Sequence, residues 1–126
     1  MRTIFLCLIL IPLNAWPVSP FKKYGDEFEA LAKQVGVFTE RYLIRFGTPP
    51  SSGSSSSTNI GYCNPQPSGH NIVTIDEKYW NSASEQCKRA LIFHEAGHCA
   101  LRKNHQGDGI MRPKLNCLAD VMGVFR

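Results

Sequence analysis

Apolar residues recur in steps of three and four at Phe21, Tyr24, Phe28, Leu31, Val35, Phe38, Tyr42 and Phe46. That spacing predicts an amphipathic helix over residues 20–46, with Ser19 as its N-cap and Pro20 at the first helical position. Gly36 is a point where it can break, and Gly47 followed by Pro49 and Pro50 ends it. The period then changes. Residues 59–63 read as a short strand and 64–69 as a turn-rich loop. Residues 71–76, Asn-Ile-Val-Thr-Ile-Asp, are β-branched, bounded by Gly69 and by Asp76-Glu77, and form the clearest strand. Ser82 or Ser84 caps a second helix running to about Lys103, and Ser82 with Glu85 fits a capping box. Gly107, Gly109 and Pro113 then break the pattern before a last short apolar segment over 115–125. The expected fold is α+β, a single domain in which a small twisted mixed sheet packs on two main helices.

The N-terminus has a different character. Arg2 precedes an almost unbroken apolar run from Ile4 to Leu13, closed by Pro12 and Asn14. The run is about ten residues, half of the roughly 20 needed to span a bilayer as a helix. It reads as a secretory signal peptide over residues 1–17, with the mature chain starting between Trp16 and Pro20. The expected compartment is secreted or periplasmic, with no membrane anchor after processing. Residues 18–126 then form the functional domain, interrupted by a Ser-rich surface loop over 51–57. Removing the leader takes Cys7 with it and leaves Cys63, Cys87, Cys99 and Cys117. An even number of cysteines in a small exported protein predicts two disulfides, with three pairings open.

Composition narrows the partners. A chain with 43% hydrophobic and 19% charged residues can build a core, which excludes wholesale disorder. The excess of 14 Lys+Arg over 10 Asp+Glu gives +4, but the positives are scattered. No basic stripe with interleaved aromatics is present, so nucleic acid is not an expected partner.

The second helix carries the chemistry: His94-Glu95-Ala96-Gly97-His98. Four residues on a helix turn through about 400°, so His94 and His98 share one face, about 40° apart and one turn removed. Two neutral imidazoles so placed can bind one Zn²⁺. Glu95 lies about 100° from His94, within reach of a water on the metal but not of the metal itself. Zinc acidifies such a water, and a carboxylate can take its proton as a carbonyl is attacked. A catalytic zinc takes three protein ligands. No glutamate follows Glu95, which leaves His105, Asp108, Asp120 and Cys99 as candidates for the third. His105 leads by type and nearness. Cys99 points about 100° from His98, which suits a disulfide better.

From His94 to Pro113 the chain resembles the metzincin zinc endopeptidases, in the style of the matrixins and of small bacterial secreted metallopeptidases. That family carries His-Glu-x-x-His-x-x-Gly-x-x-His and then a methionine turn. His94, Glu95 and His98 match position for position, and Ile110-Met111-Arg112-Pro113 is similar to the methionine turn. His105 comes one residue later than the family's third ligand. Leu101 and Arg102 occupy the candidate places of its helix-ending glycine, and Asn104 is the nearby residue best able to adopt the left-handed turn. The resemblance implies a metzincin-like fold with His94, His98 and His105 on one catalytic zinc, Glu95 as general base and Met111 beneath the site. It also implies an edge strand that pairs with substrate backbone; Asn71, Ile72, Val73, Thr74 and Ile75 would supply it, with His70 just before it.

The expected function is a monomeric, secreted, zinc-dependent endopeptidase acting on peptide or protein substrates. The alternatives are a secreted zinc-binding module without catalysis that binds a protein partner, and a disulfide-stabilised structural protein without metal.

Overall fold

The computed structural model describes residues 19–50 and 60–126. The leader over 1–17 and the Ser-rich loop over 51–57 lie outside the described residues. The chain forms α1 (Lys22–Gln34), β1 (Tyr42–Phe46), β2 (Gly61–Asn64), β3 (Asn71–Ile75), α2 (Glu77–Ser82) and α3 (Glu85–Leu101). A terminal 3₁₀ helix spans Val121–Phe125. This is a small α+β domain with a mixed three-stranded sheet.

The first helix is half as long as the spacing predicts. Ser19 Oγ accepts the Phe21 amide at 3.2 Å in the turn before it, but the N-cap position falls to Phe21 without a side-chain cap bond, which corrects the expected Ser19 cap with Pro20 at the first helical position. The chain leaves the helix after Gln34, and Gly36 takes φ +74°. A glycine adopts that left-handed conformation without the Cβ clash that other residues meet. Beyond this turn the chain becomes a strand. Tyr42, Ile44 and Phe46 face the helices while Leu43 and Arg45 face away, an alternation of period two. The reading of 37–46 as helix is therefore corrected.

The structure adds one helix and decides between the two expected caps of the next. α2 is an additional helix; the Asp76 carboxylate accepts the Tyr79 amide at 3.1 Å and caps it. α3 is capped by Ser84, whose Oγ accepts the Cys87 amide at 3.1 Å, rather than by Ser82. Glu85 turns instead to the Tyr24 hydroxyl and the Lys23 ammonium, tying α1 to α3.

The strand order is β1-β3-β2. β1 runs parallel to β3 with Tyr42 opposite Asn71 and Phe46 opposite Ile75. β2 runs antiparallel to β3 with Gly61 opposite Ile75 and Asn64 opposite Ile72. β3 is thus the central strand, and its expected role as a free edge is corrected: both sides of its backbone are already paired.

α3 lies across one face of the sheet and joins the two halves of the core. Ala90, Phe93, Ala96 and Ala100 pack with Phe28 of α1, Met111 and Val124. Leu91, Ile92 and Cys99 pack with Val73, Ile75, Phe21 and Trp80. Aromatic edges close the second cluster, with Phe21 and Trp80 centroids 4.9 Å apart. A helix buried on so much of its surface is held rigidly, which suits one that carries reactive groups. Two disulfides, Cys63–Cys99 and Cys87–Cys117, select one of the three pairings. No helix among the described residues is long and apolar enough to cross a membrane.

Candidate metal centre

His94 and His98 stand on adjacent turns of α3, and the chain returns His105 to meet them. The return depends on how α3 ends. Arg102 adopts φ 53°, ψ 35°, the left-handed conformation expected of Asn104. The Arg102 amide and the Lys103 amide, the latter at 3.0 Å, then both reach back to the Gly97 carbonyl and close the helix end. Arg102 lies three residues before His105, where the metzincin pattern has its glycine. The strain of a left-handed arginine is offset by its guanidinium, whose Nε donates to both Glu40 carboxylate oxygens at 3.0 and 2.8 Å. The Glu40 amide in turn donates to the Ala100 carbonyl at 2.9 Å.

The same turn orients the imidazoles. His98 Nδ1 lies 2.6 Å from the Lys103 carbonyl oxygen, and His94 Nδ1 lies 2.7 Å from that of Ile110. A carbonyl only accepts, so each Nδ1 is the protonated nitrogen and donates. Each Nε2 is left with a lone pair. Those lone pairs converge: His94 Nε2 is 3.2 Å from His98 Nε2 and 3.3 Å from His105 Nε2. Between His94 and His98 no proton is available to bond the two nitrogens, so the approach is repulsive unless a cation lies between them. Nitrogens bound at about 2.0–2.1 Å to a tetrahedral zinc stand roughly 3.3–3.4 Å apart. The spacing fits, and the three histidines could hold a metal ion.

Electrostatics point the same way. Burial lowers the His94 pKa to about 4, against the opposing hydrogen bond to Ile110, and the neighbouring imidazoles lower it further. Burial also lowers that of His98. Neutral imidazoles are the metal-binding form.

Glu95 is 5% exposed, and burial pushes its pKa up to about 8. Its carboxylate rests beside Gly61 of β2; a Cβ built there would stand 2.9 Å from Glu95 Oε1 and 3.0 Å from Leu91 Cδ1. Sequence reasoning missed Gly61, because the contact joins a strand and a helix far apart in the chain.

The other expected residues take structural places. Met111 is buried against Gly97 of α3. Asp120 caps the terminal 3₁₀ helix through the Met122 amide, and Cys99 is oxidised. Among the described residues, neither these nor Asp108 joins the histidine cluster. Asn71, expected to face substrate, is 2% exposed and structural: its Nδ2 donates to the Cys99 carbonyl at 2.7 Å and its Oδ1 accepts the Gln66 amide at 3.1 Å. Val73 and Ile75 are also buried, in the core, while Ile72 and Thr74 lie on the opposite sheet face and are partly exposed. The expectation that Asn71, Ile72, Val73, Thr74 and Ile75 form a substrate-pairing edge is corrected on this ground together with the strand order. His70 lines a cleft of about 710 Å³ between α1 and β1 and stands outside the histidine cluster.

Residues 57–119, half of the chain, match the model of a family described as "Putative phage metallopeptidase". The matched segment takes in β2, β3, α2, α3 and all three clustered histidines. No curated protein and no solved structure matches the chain.

Proposed function

The chain belongs to this phage metallopeptidase family, and from that premise we propose that it is a zinc-dependent endopeptidase working outside the cytoplasm, of metzincin-like design. The observation that carries the reading is the convergence of three imidazole Nε2 atoms beside a buried carboxyl on the same helix. His94, His98 and His105 would hold the ion. Zinc bound there would supply Lewis acidity and make a nearby water more acidic. Glu95 would take a proton at a carboxylate oxygen and hand it to the departing amine. Burial holds the Glu95 proton tightly without a metal, and a cation at the histidines would draw that affinity down toward the range in which the carboxylate takes and returns a proton. The Ile110 and Lys103 carbonyls fix the rings of His94 and His98 so that their Nε2 atoms would face the ion, and Met111, buried against Gly97 of the same helix, would support the site floor. With β3 enclosed, the backbone edge beside Glu95 is that of β2, and an extended peptide pairing along it brings a carbonyl to the site. Two disulfides support an oxidising compartment.

The test is direct. Purified tag-free protein is loaded with zinc, its metal content measured, and cleavage of an unstructured protein substrate followed for wild type and Glu95→Gln. One zinc per chain in both, with cleavage only by wild type, supports the reading. One zinc without cleavage by either turns it into a non-catalytic binding module. Absence of zinc overturns both in favour of a structural protein.

A further inference from the structure

The general base's carboxylate has no hydrogen-bond partner among the described residues; it lies against Gly61, at whose other contact stands Leu91, a Cβ there falling 2.9 Å from Glu95 Oε1 and 3.0 Å from Leu91 Cδ1. Leu91 belongs to the same helix, so the placement depends on where β2 sits on α3. One covalent bond fixes that. Cys63 lies two residues after Gly61 on β2, and Cys99 lies four residues after Glu95 on α3. Two residues of strand advance about 6.7 Å and put both side chains on one face. Four residues of helix advance about 6 Å and return to nearly the same face. The two spacings match, so Gly61 with Glu95 and Cys63 with Cys99 are successive rungs of one strand–helix interface. One rung is the disulfide, and the next is the seat of the carboxylate.

We propose that the Cys63–Cys99 disulfide positions the general base: it locks the register of β2 on α3 so that Gly61 stays against Glu95. Cys63, Cys99 and Gly61 are positioning residues, and the assignment rests on the peptidase reading. The other bridge, Cys87–Cys117, joins the first turn of α3 to the segment before the terminal 3₁₀ helix and touches neither rung. It serves as the internal control.

The experiment compares zinc-loaded wild type, Cys63→Ala/Cys99→Ala, Cys87→Ala/Cys117→Ala and Gly61→Ala. All are assayed at a temperature where each gives a folded circular dichroism spectrum. Loss of the first bridge lowers kcat by about 100-fold, the scale of a 1 Å misplacement, with zinc stoichiometry little changed; KM rises as well, because β2 also offers the substrate-pairing edge. Loss of the second leaves kcat within about threefold of wild type. Gly61→Ala keeps both bridges and reproduces the kcat loss, which covers the case in which the first double variant does not fold. Hydrogen exchange at the amides of residues 61–64 gives a readout without turnover: it speeds up in Cys63→Ala/Cys99→Ala alone. Equal kcat in the two double variants, or unchanged exchange over 61–64, overturns the proposal. Wild type that binds zinc and cleaves nothing overturns the peptidase reading instead, and exchange alone then judges the tether.

Discussion

The Met111 thioether lies directly against the backbone of Gly97: a Cβ built on Gly97 would stand 2.6 Å from Sδ and 3.2 Å from Cε, and 2.8 Å from Val124 Cγ2. The variable position before the second motif histidine is therefore occupied by the one residue that leaves room for the methionine beneath it. Gly97→Ala overpacks a buried contact on two sides. It is expected to lower stability by about 1–3 kcal/mol, measured by chemical denaturation of the metal-free protein. A change under about 0.5 kcal/mol, the scatter of neutral substitutions, would show that the methionine is free to move aside.

Truncating each potential third ligand separates them. His105→Ala is expected to weaken zinc binding by more than about 100-fold, read by competition with a chromophoric chelator. Asp108→Ala and Asp120→Ala are expected to leave affinity within a factor of about three. The opposite ranking would remove His105 from the site.

Arg102 offers a test of how the helix exit is built. Arg102→Gly relieves a left-handed strain of about 1 kcal/mol or more and loses an exposed ion pair worth about 0–1 kcal/mol. The two nearly cancel, so stability is expected to stay within about 1 kcal/mol of wild type. Arg102→Val puts a β-branched residue at φ 53° and is expected to cost at least about 2 kcal/mol. Thermal melts of the two variants check this; equal melting temperatures would contradict it.

The buried pair His94 and Glu95 gives the metal-free protein a defined pH response. His94 is lowered from 6.5 to about 4, so its contribution is whole above pH 6.5 and is lost as pH falls through about 4. Glu95 is raised from 4.5 to about 8, so its contribution is whole below pH 4.5 and is lost as pH rises through about 8. Each effect is on the order of 3–5 kcal/mol. Below pH 6.5 the Glu95 slope opposes that of His94 while His98, also lowered, adds to His94, so stability peaks near pH 6.5 and declines towards pH 8. Glu95→Gln is expected to abolish the alkaline decline. Denaturant midpoints from acid to mildly alkaline pH measure it, and a wild-type midpoint still rising between pH 6.5 and about 8 would contradict it.

Much of the site was legible because its chemistry is local. The four-residue spacing of His94 and His98 needs only a helix, and Ser84, Glu85 and the apolar run supply one. His105 was legible by type and nearness. The left-handed exit that delivers it was not, since Arg102 reaches that conformation through its pairing with Glu40, a partner 62 residues away. β1 was hidden because Phe38, Tyr42 and Phe46 are four apart, a step that fits a helix face and a strand face alike; Gly36 decided between them. The central place of β3 and the nearness of Gly61 to Glu95 are tertiary facts. No period along the chain encodes which strand lies between which.

Both cystine links terminate on α3, one in its opening turn at Cys87 and one in its closing turn at Cys99, with His94 and His98 between them. The span that offers the imidazoles is fastened at each extremity by bonds that do not involve an ion. Removing an ion held there is therefore expected to leave a standing receptor instead of a melted chain, and a metal-free circular dichroism spectrum that matches the loaded one checks this. Reloading is a docking event on a finished scaffold, unlike domains whose cation is itself the cornerstone of the structure.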